Sequence, residues 1–499
     1  MRPLGNAQQG LWYGYLLNED RAMFNTAECI AFAGQVQAPL LIAAVQQAVG
    51  ECESLSGLYV TDGEAVLFEP GELPLTVTQL EVPAFADAES WVRDWAQADI
   101  RQPFDLEREL ACRFVLLRAA GQDFLYSCVH HIALDGYGSN LLYQRIAELY
   151  GAAVRGEPAP ACGFGRYADV LAEDAERDAQ NKTAAARGYW LETFSRLPAP
   201  VSFSERSAPI SATFVRHGAR FPAPLWQLLS ATAEAHGIGW ADLLLAALSA
   251  QLRQVSGSDA QVFGLMVMNR IGSAAFNVPC MQMNIAPLCL QADGEASLIA
   301  TAKAIGKLRR ASRKHQHYRY EALRRDLGRV GGEQRLFGPL INIMPFDRPL
   351  AYGELAARTL NLSAGPVEDL TLEVQVGADG IPQLDYDANP ACYSTEHLRA
   401  LQEELFELLR RWLAAPEMPR DLILEAWMAD YRFHQRLSAP AAEQVQLGEV
   451  TSVLAAIRAH AERQPERIAL CQGERRLNYA ALLARAEEIA AALGEQGVQ

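Results

Sequence analysis

Apolar positions along the chain switch between a period of two and a period near 3.6, a pattern that predicts strands mixed with helices. Phe124-Leu125-Tyr126-Ser127-Cys128-Val129 is apolar and β-prone, which predicts a buried strand. Leu141, Leu142, Ile146, Leu149 and Tyr150 then recur at helical spacing, with Ser139 or Asn140 available as a cap. Residues 130–136 are therefore a strand-to-helix turn. Farther on, Trp240 to Leu248 reads as an apolar helix and Gln261 to Met268 as a strand ending near Arg270. A polar helical stretch from Glu173 to Ala186 lies between the two patterned regions. Pro416, Pro419 and Ser438-Ala439-Pro440-Ala441-Ala442 mark a shift in composition, so residues 427–449 read as a linker and 450–499 as the start of a new unit.

The turn itself reads His130-His131-Ile132-Ala133-Leu134-Asp135-Gly136. An imidazole suits proton transfer near neutral pH, because its unperturbed pKa is about 6.5. Neighbouring side chains on extended backbone point opposite ways, so if His131 faces a cleft, His130 faces the core. Asp135 is too far along the turn to be taken as the partner of His131, and is expected to hold the loop through an arginine. Gly136 keeps the turn open. His131, His130, Asp135 and Gly136 are thus the candidate catalytic group, with Tyr137 beside them as a candidate substrate contact.

This turn matches HHxxxDG, and by it the chain resembles the condensation domains of nonribosomal peptide synthetases; the looser HxxxD is shared with chloramphenicol acetyltransferase and other CoA-dependent acyltransferases. Other segments over roughly residues 1–430 carry the same resemblance, in the family's order. Asn6 to Trp12 is similar to the AQxxLW element, Phe164 to Asp169 to YxDYA, with Tyr189-Trp190 following it. Met283 to Leu288 is similar to FVNTLPL, and His315 to Glu321 to HQxYPFE. Asn269 to Ala275, Leu336 to Ile343 and Gly365 to Leu370 are closer to one subgroup, the condensation domain of the serine-activating component of enterobactin synthase, which implies an aryl donor. The segment expected to read RHExLR is instead Cys52-Glu53-Ser54-Leu55-Ser56, without an arginine.

The resemblance implies an α/β (α+β) fold of two chloramphenicol-acetyltransferase-like lobes, 1–175 and 176–426, in a V-shaped pseudo-dimer with an active-site tunnel between them. It implies that the segment 362–387 is a latch crossing from the second lobe to the first. It places Arg270 opposite the turn, and we expect an Asp135–Arg270 ion pair, since stranding one buried charge costs about 3–5 kcal/mol. Asn284 and Asn342 sit in apolar surroundings and are expected either to bind substrate amides or the pantetheine arm, or to satisfy strand ends. The implied reaction is amide-bond formation between a carrier-bound acyl donor and the amine of a carrier-bound aminoacyl acceptor, with His131 as base or as orienting group. No cofactor is expected in the chain itself, because substrates arrive on phosphopantetheine arms. The partners expected are donor and acceptor carrier proteins and an adjoining adenylation domain, whose opening residues 450–499 resemble. Neither a nucleotide loop nor a GGxS carrier serine follows, so the chain is expected to be part of a larger synthetase. An epimerisation domain, a CoA-dependent acyltransferase and a silent carrier-docking domain are the alternatives.

Composition narrows this further. With 499 residues, half of them hydrophobic, the chain can bury more than one core, and a net charge of -16 argues against nucleic-acid binding. Arg309, Arg310, Arg313 and Lys314 form one dense basic run, read either as a solvated helix face or as a patch for an acidic carrier. Nine cysteines are scattered without CxxC or zinc spacing, from which a reducing compartment and no metal are expected. Without an apolar leader or a stretch of about 20 apolar residues, the expectation is a cytoplasmic, monomeric protein not bound to membrane.

Overall fold

The computed structural model describes residues 1–428, apart from 64, 72, 85–86, 198, 330–334, 345–349, 364 and 378, together with 453–472 and 475–495. It divides into two units, Met1–Trp427 and Met428–Gln499. Beyond its first two residues, the expected linker 427–449 lies outside the described residues.

The first unit is built on two six-stranded sheets, each covered by helices, in the two-lobed arrangement anticipated for it. In spatial order the first sheet runs Leu350–Tyr352, Leu355–Asn361, Asn25–Phe32, Gln122–His130, Cys112–Ala119 and Val77–Glu81, antiparallel except for the last pair. Helices Ala38–Glu51, Ala88–Ile100 and Gly136–Val154 supply Leu41, Val45, Val92, Ala96, Leu142 and Ile146 to its core. The second sheet runs Asn284–Gln291, Ala260–Val267, Leu340–Met344, Leu370–Val376, Pro382–Ala388 and Val215–Arg220. Its two central pairings, either side of Leu340–Met344, are parallel. Helix Trp240–Ser256 is buried at every position from Asp242 to Leu252, because it lies among other helices as well as on the sheet.

Two expectations change, and a third, the solvated helix face for the basic run, holds for three of its four residues. The polar stretch 173–186 is two helices, Tyr167–Ala179 and Lys182–Phe194, separated at Asn181, whose φ of 56° stops the first helix. The crossing to the first lobe comes earlier than 362–387. Leu355–Asn361 pairs with Asn25–Phe32, burying Tyr352 and Leu360 in the first core, while Leu370–Val376 stays at the centre of the second sheet. The basic run closes helix Leu298–Ser312, where Arg309 pairs with Asp242 and the other three remain exposed.

In the second unit, helices Val453–Arg463 and Tyr479–Glu495 accompany a hairpin of Ile468–Gln472 and Arg475–Asn478. Among the described residues no helix is long and apolar enough to cross a membrane.

Candidate active site

Strand Gln122–His130 ends where a cavity of about 1210 Å³ opens within the first unit, and the alternation of strand side chains divides the two histidines. His131 lines the cavity. Its Nδ1 lies 2.7 Å from the Leu134 carbonyl oxygen. A carbonyl only accepts, so Nδ1 donates to it, and in the tautomer this selects Nε2 is the acceptor. The His131 backbone N–H donates to the Phe24 carbonyl at 2.8 Å, fixing the residue from the other side.

His130 is fully buried, edge-on to Tyr15 with ring centroids 5.5 Å apart and close to Phe24 and Phe104. Its Nδ1 accepts the Ile132 N–H at 3.2 Å. Burial, helped by neighbouring His131, pulls its pKa down to about 3, so it remains neutral. His130 does not line the cavity and supports the turn from inside the core.

Asp135, rather than Ser139 or Asn140, caps the following helix, because its carboxylate accepts the Gly138 N–H at 2.8 Å while Ser139 and Asn140 lie within the first turns. The same carboxylate accepts the N–H groups of Gln282 and Met283 at 2.9 and 2.7 Å. Arg270 Nη2 reaches both of its oxygens, at 2.9 and 3.0 Å. Burial opposes the charge, yet Arg270 and these three N–H groups outweigh it and hold the carboxyl below the usual range. Arg270 is itself fully buried and also donates to the carbonyls of Ala275, Val278 and Cys280 at 2.6 to 2.8 Å. The pair is thus a clamp between lobes, with its remaining donors and acceptors largely satisfied.

The two glycines beside it differ. A Cβ at Gly136, which lines the cavity, would meet only Met344 Sδ at 3.8 Å, whereas one at Gly138 would stand 2.8 Å from the Cys280 carbonyl oxygen. Gly138, which the motif reading passed over, is the position where close approach demands glycine. Tyr137 does not line the cavity; it lies under the Arg270 guanidinium at 5.0 Å and beside Phe276.

Both asparagines line the cavity but differ in occupation. Asn284 donates to the Gln316 and Tyr318 carbonyls, each at 2.8 Å, and accepts from the Tyr320 N–H at 3.0 Å, tying its strand to the following loop. Asn342 makes no side-chain hydrogen bond among the described residues and presents its amide to the cavity.

Of the remaining motif segments, the opening element packs directly on the turn. Gln8 donates to the Ile132 carbonyl at 3.0 Å and accepts from the Tyr167 hydroxyl at 2.6 Å. His315 stacks on Tyr189 at 4.0 Å, and its carbonyl accepts the Trp190 indole N–H. Cys52 and Ser54, at the position lacking the arginine, are buried, and the Cys52 thiol lies 3.5 Å from the Pro279 carbonyl oxygen.

The condensation-domain family profile matches residues 1–426. The chain is 34% identical to a dimodular nonribosomal peptide synthase of Bacillus subtilis over 99% of its own length and 21% of that protein's. It is 28% identical to enterobactin synthase component F of Escherichia coli over 100% of its own length and 38% of that protein's. It therefore spans between about a fifth and two-fifths of these relatives. Among solved structures, a variant of the starter condensation domain of rhizomide synthetase in complex with C8-CoA matches with a TM-score of 0.78 and 31% identity. That match covers 84% of this chain and 96% of the other.

Proposed function

From the premise that the chain belongs to the condensation-domain family, whose members form amide bonds as acyltransferases, we propose that its cavity joins a carrier-bound acyl thioester to the amine of a carrier-bound aminoacyl group. The amine nitrogen attacks the thioester carbon, the C–N bond forms, the C–S bond breaks, and the donor carrier recovers its thiol. His131 Nε2 accepts the amine N–H as the attack begins, takes the proton and passes it to the departing sulfur. The observation that carries this role is the Nδ1 contact with Leu134, which leaves Nε2 as the acceptor in the cavity. Alignment of two bound arms supplies a further part of the rate.

The reactants arrive on phosphopantetheine arms, so the partners are a donor and an acceptor carrier protein, with an adenylation domain beginning in residues 450–499. The subgroup resemblance of Asn269 to Ala275, Leu336 to Ile343 and Gly365 to Leu370 supports an aryl donor. Asp135 and Arg270 position the turn, and Gly136 leaves room beside His131.

Intact-mass analysis of the carriers tests this reading directly. With a 2,3-dihydroxybenzoyl donor carrier and a seryl acceptor carrier, the wild-type chain is expected to add the aryl group to the acceptor, and His131→Ala to slow this by on the order of 10²–10⁴. Equal rates from both proteins would remove His131 from the mechanism.

A further inference from the structure

One buried carboxyl in the cavity has no place in the mechanism above. Glu373 lies on strand Leu370–Val376, is 6% exposed and lines the cavity. Its register partner on the adjacent parallel strand is Asn342. Paired residues share a face of the sheet, about 4.8 Å apart, so the unoccupied amide of Asn342 and the carboxyl of Glu373 stand side by side.

Among the described residues no cation forms an ion pair with Glu373. Its Oε1 accepts from Asn361 Nδ2 at 2.7 Å, and among the described residues no hydrogen bond to Oε2 is seen. Arg216 is committed elsewhere, to both oxygens of Asp387 at 2.5 and 2.6 Å and to the Asn361 carbonyl at 2.8 Å. Burial, with Asp387 adding to it, pushes the Glu373 carboxyl up to about 7 against the pull of Arg216 and the Asn361 hydrogen bond. A buried carboxyl kept without an ion-pair partner costs stability, so its presence on a cavity wall asks for a ligand that completes it.

Its distance from the reacting centre defines what it meets. Met344, two residues beyond Asn342 on the same face, is the side chain that a Cβ at Gly136 would touch. Two residues of strand span about 6.6 Å, which sets Asn342 and Glu373 about that far along the cavity wall from the contact with the catalytic turn. The two side chains therefore share the cavity with His131 and Gly136 without belonging to the turn.

We propose that Asn342 and Glu373, with Glu373 held by Asn361, form a specificity subsite for a substrate side group bearing O–H or N–H donors. The carboxyl accepts from such a group and the Asn342 amide supplies the complementary donor and acceptor. A plain hydrocarbon leaves both unpaired, and a site built for a hydroxyl or amine rejects the analogue that lacks one. The inference rests on the condensation reading above.

The test is a competition with the full chain, read by product mass. One arm offers equal amounts of dihydroxybenzoyl and benzoyl donor carriers with a single acceptor. The other offers seryl and alanyl acceptor carriers with a single donor. Wild type is expected to favour the donor-bearing member of one pair by at least tenfold, and the arm that shows it identifies which substrate the subsite reads. Glu373→Gln, which keeps the shape, and Asn342→Ala, at a half-buried position, are expected to bring that ratio below threefold. Absence of preference in both arms, or an unchanged ratio in both variants, overturns the proposal. A parallel equilibrium titration uses the four matching N-acetylcysteamine thioesters. If the wild type forms no amide at all, the condensation reading fails, and the subsite then stands or falls on whether the variants erase a tenfold difference in Kd.

Discussion

His130 and His131 are adjacent in sequence but meet opposite environments, and the pH dependence of stability separates them. The folded-state pKa of His130 lies near 3, below an unfolded value of about 6.5. Above pH 6.5 the group is neutral in both states and costs nothing. As pH falls below 6.5 the unfolded chain takes up a proton that the folded chain refuses, so stability falls until pH nears 3. Between pH 6.5 and 5 this one group should remove about 2 kcal/mol. Urea titrations of wild type and His130→Phe across that range are expected to diverge by this amount, the variant having the flatter profile. Parallel profiles would mean that His130 is protonated inside the fold. The separation of the two rings was legible in the sequence because neighbours on a strand must point apart. The hydrogen bond from His131 to Leu134 was not, because it depends on how tightly the turn closes.

Among the elements, the strand and the helix that flank the turn were legible from their periods, while the helix start was not. Asp135 outcompetes Ser139 and Asn140 as the cap because it also collects Arg270 and two N–H groups from residues 282 and 283, and no local pattern reports those partners. The sequence Leu370-Thr-Leu-Glu-Val-Gln-Val376 reads as an apolar run, yet its alternation places Thr371, Glu373 and Gln375 on one face. A polar face lining an internal cavity looks, in sequence, like one facing water. The helix start also yields a test of close packing. Gly138→Ala drives a Cβ to 2.8 Å from the Cys280 carbonyl oxygen and should cost about 1–3 kcal/mol while displacing the Asp135 cap. Gly136→Ala, with only an ordinary contact to Met344, should leave stability within about 0.5 kcal/mol. Denaturant midpoints of both variants check the contrast, and equal losses would refute it.

At the scale of the whole molecule, both large cores are complete by Trp427. A chain ending at Trp427 is therefore expected to keep the main thermal transitions of the full chain and to form the aryl amide within about twofold of the full chain's rate, as measured by calorimetry and carrier mass. Loss of either property would make the second unit part of the working fold. Within the first unit, the strands Leu350–Tyr352 and Leu355–Asn361 complete a sheet begun more than three hundred residues earlier. That connection restricts how such a gene can be recombined. A crossover between the lobes near residue 180 would graft one parent's edge strands onto the other parent's sheet, mismatching Asn361 with Glu28 and Tyr352 with its core. Chimeras joined outside Met1–Trp427 inherit both six-stranded sheets and the whole cavity from one parent.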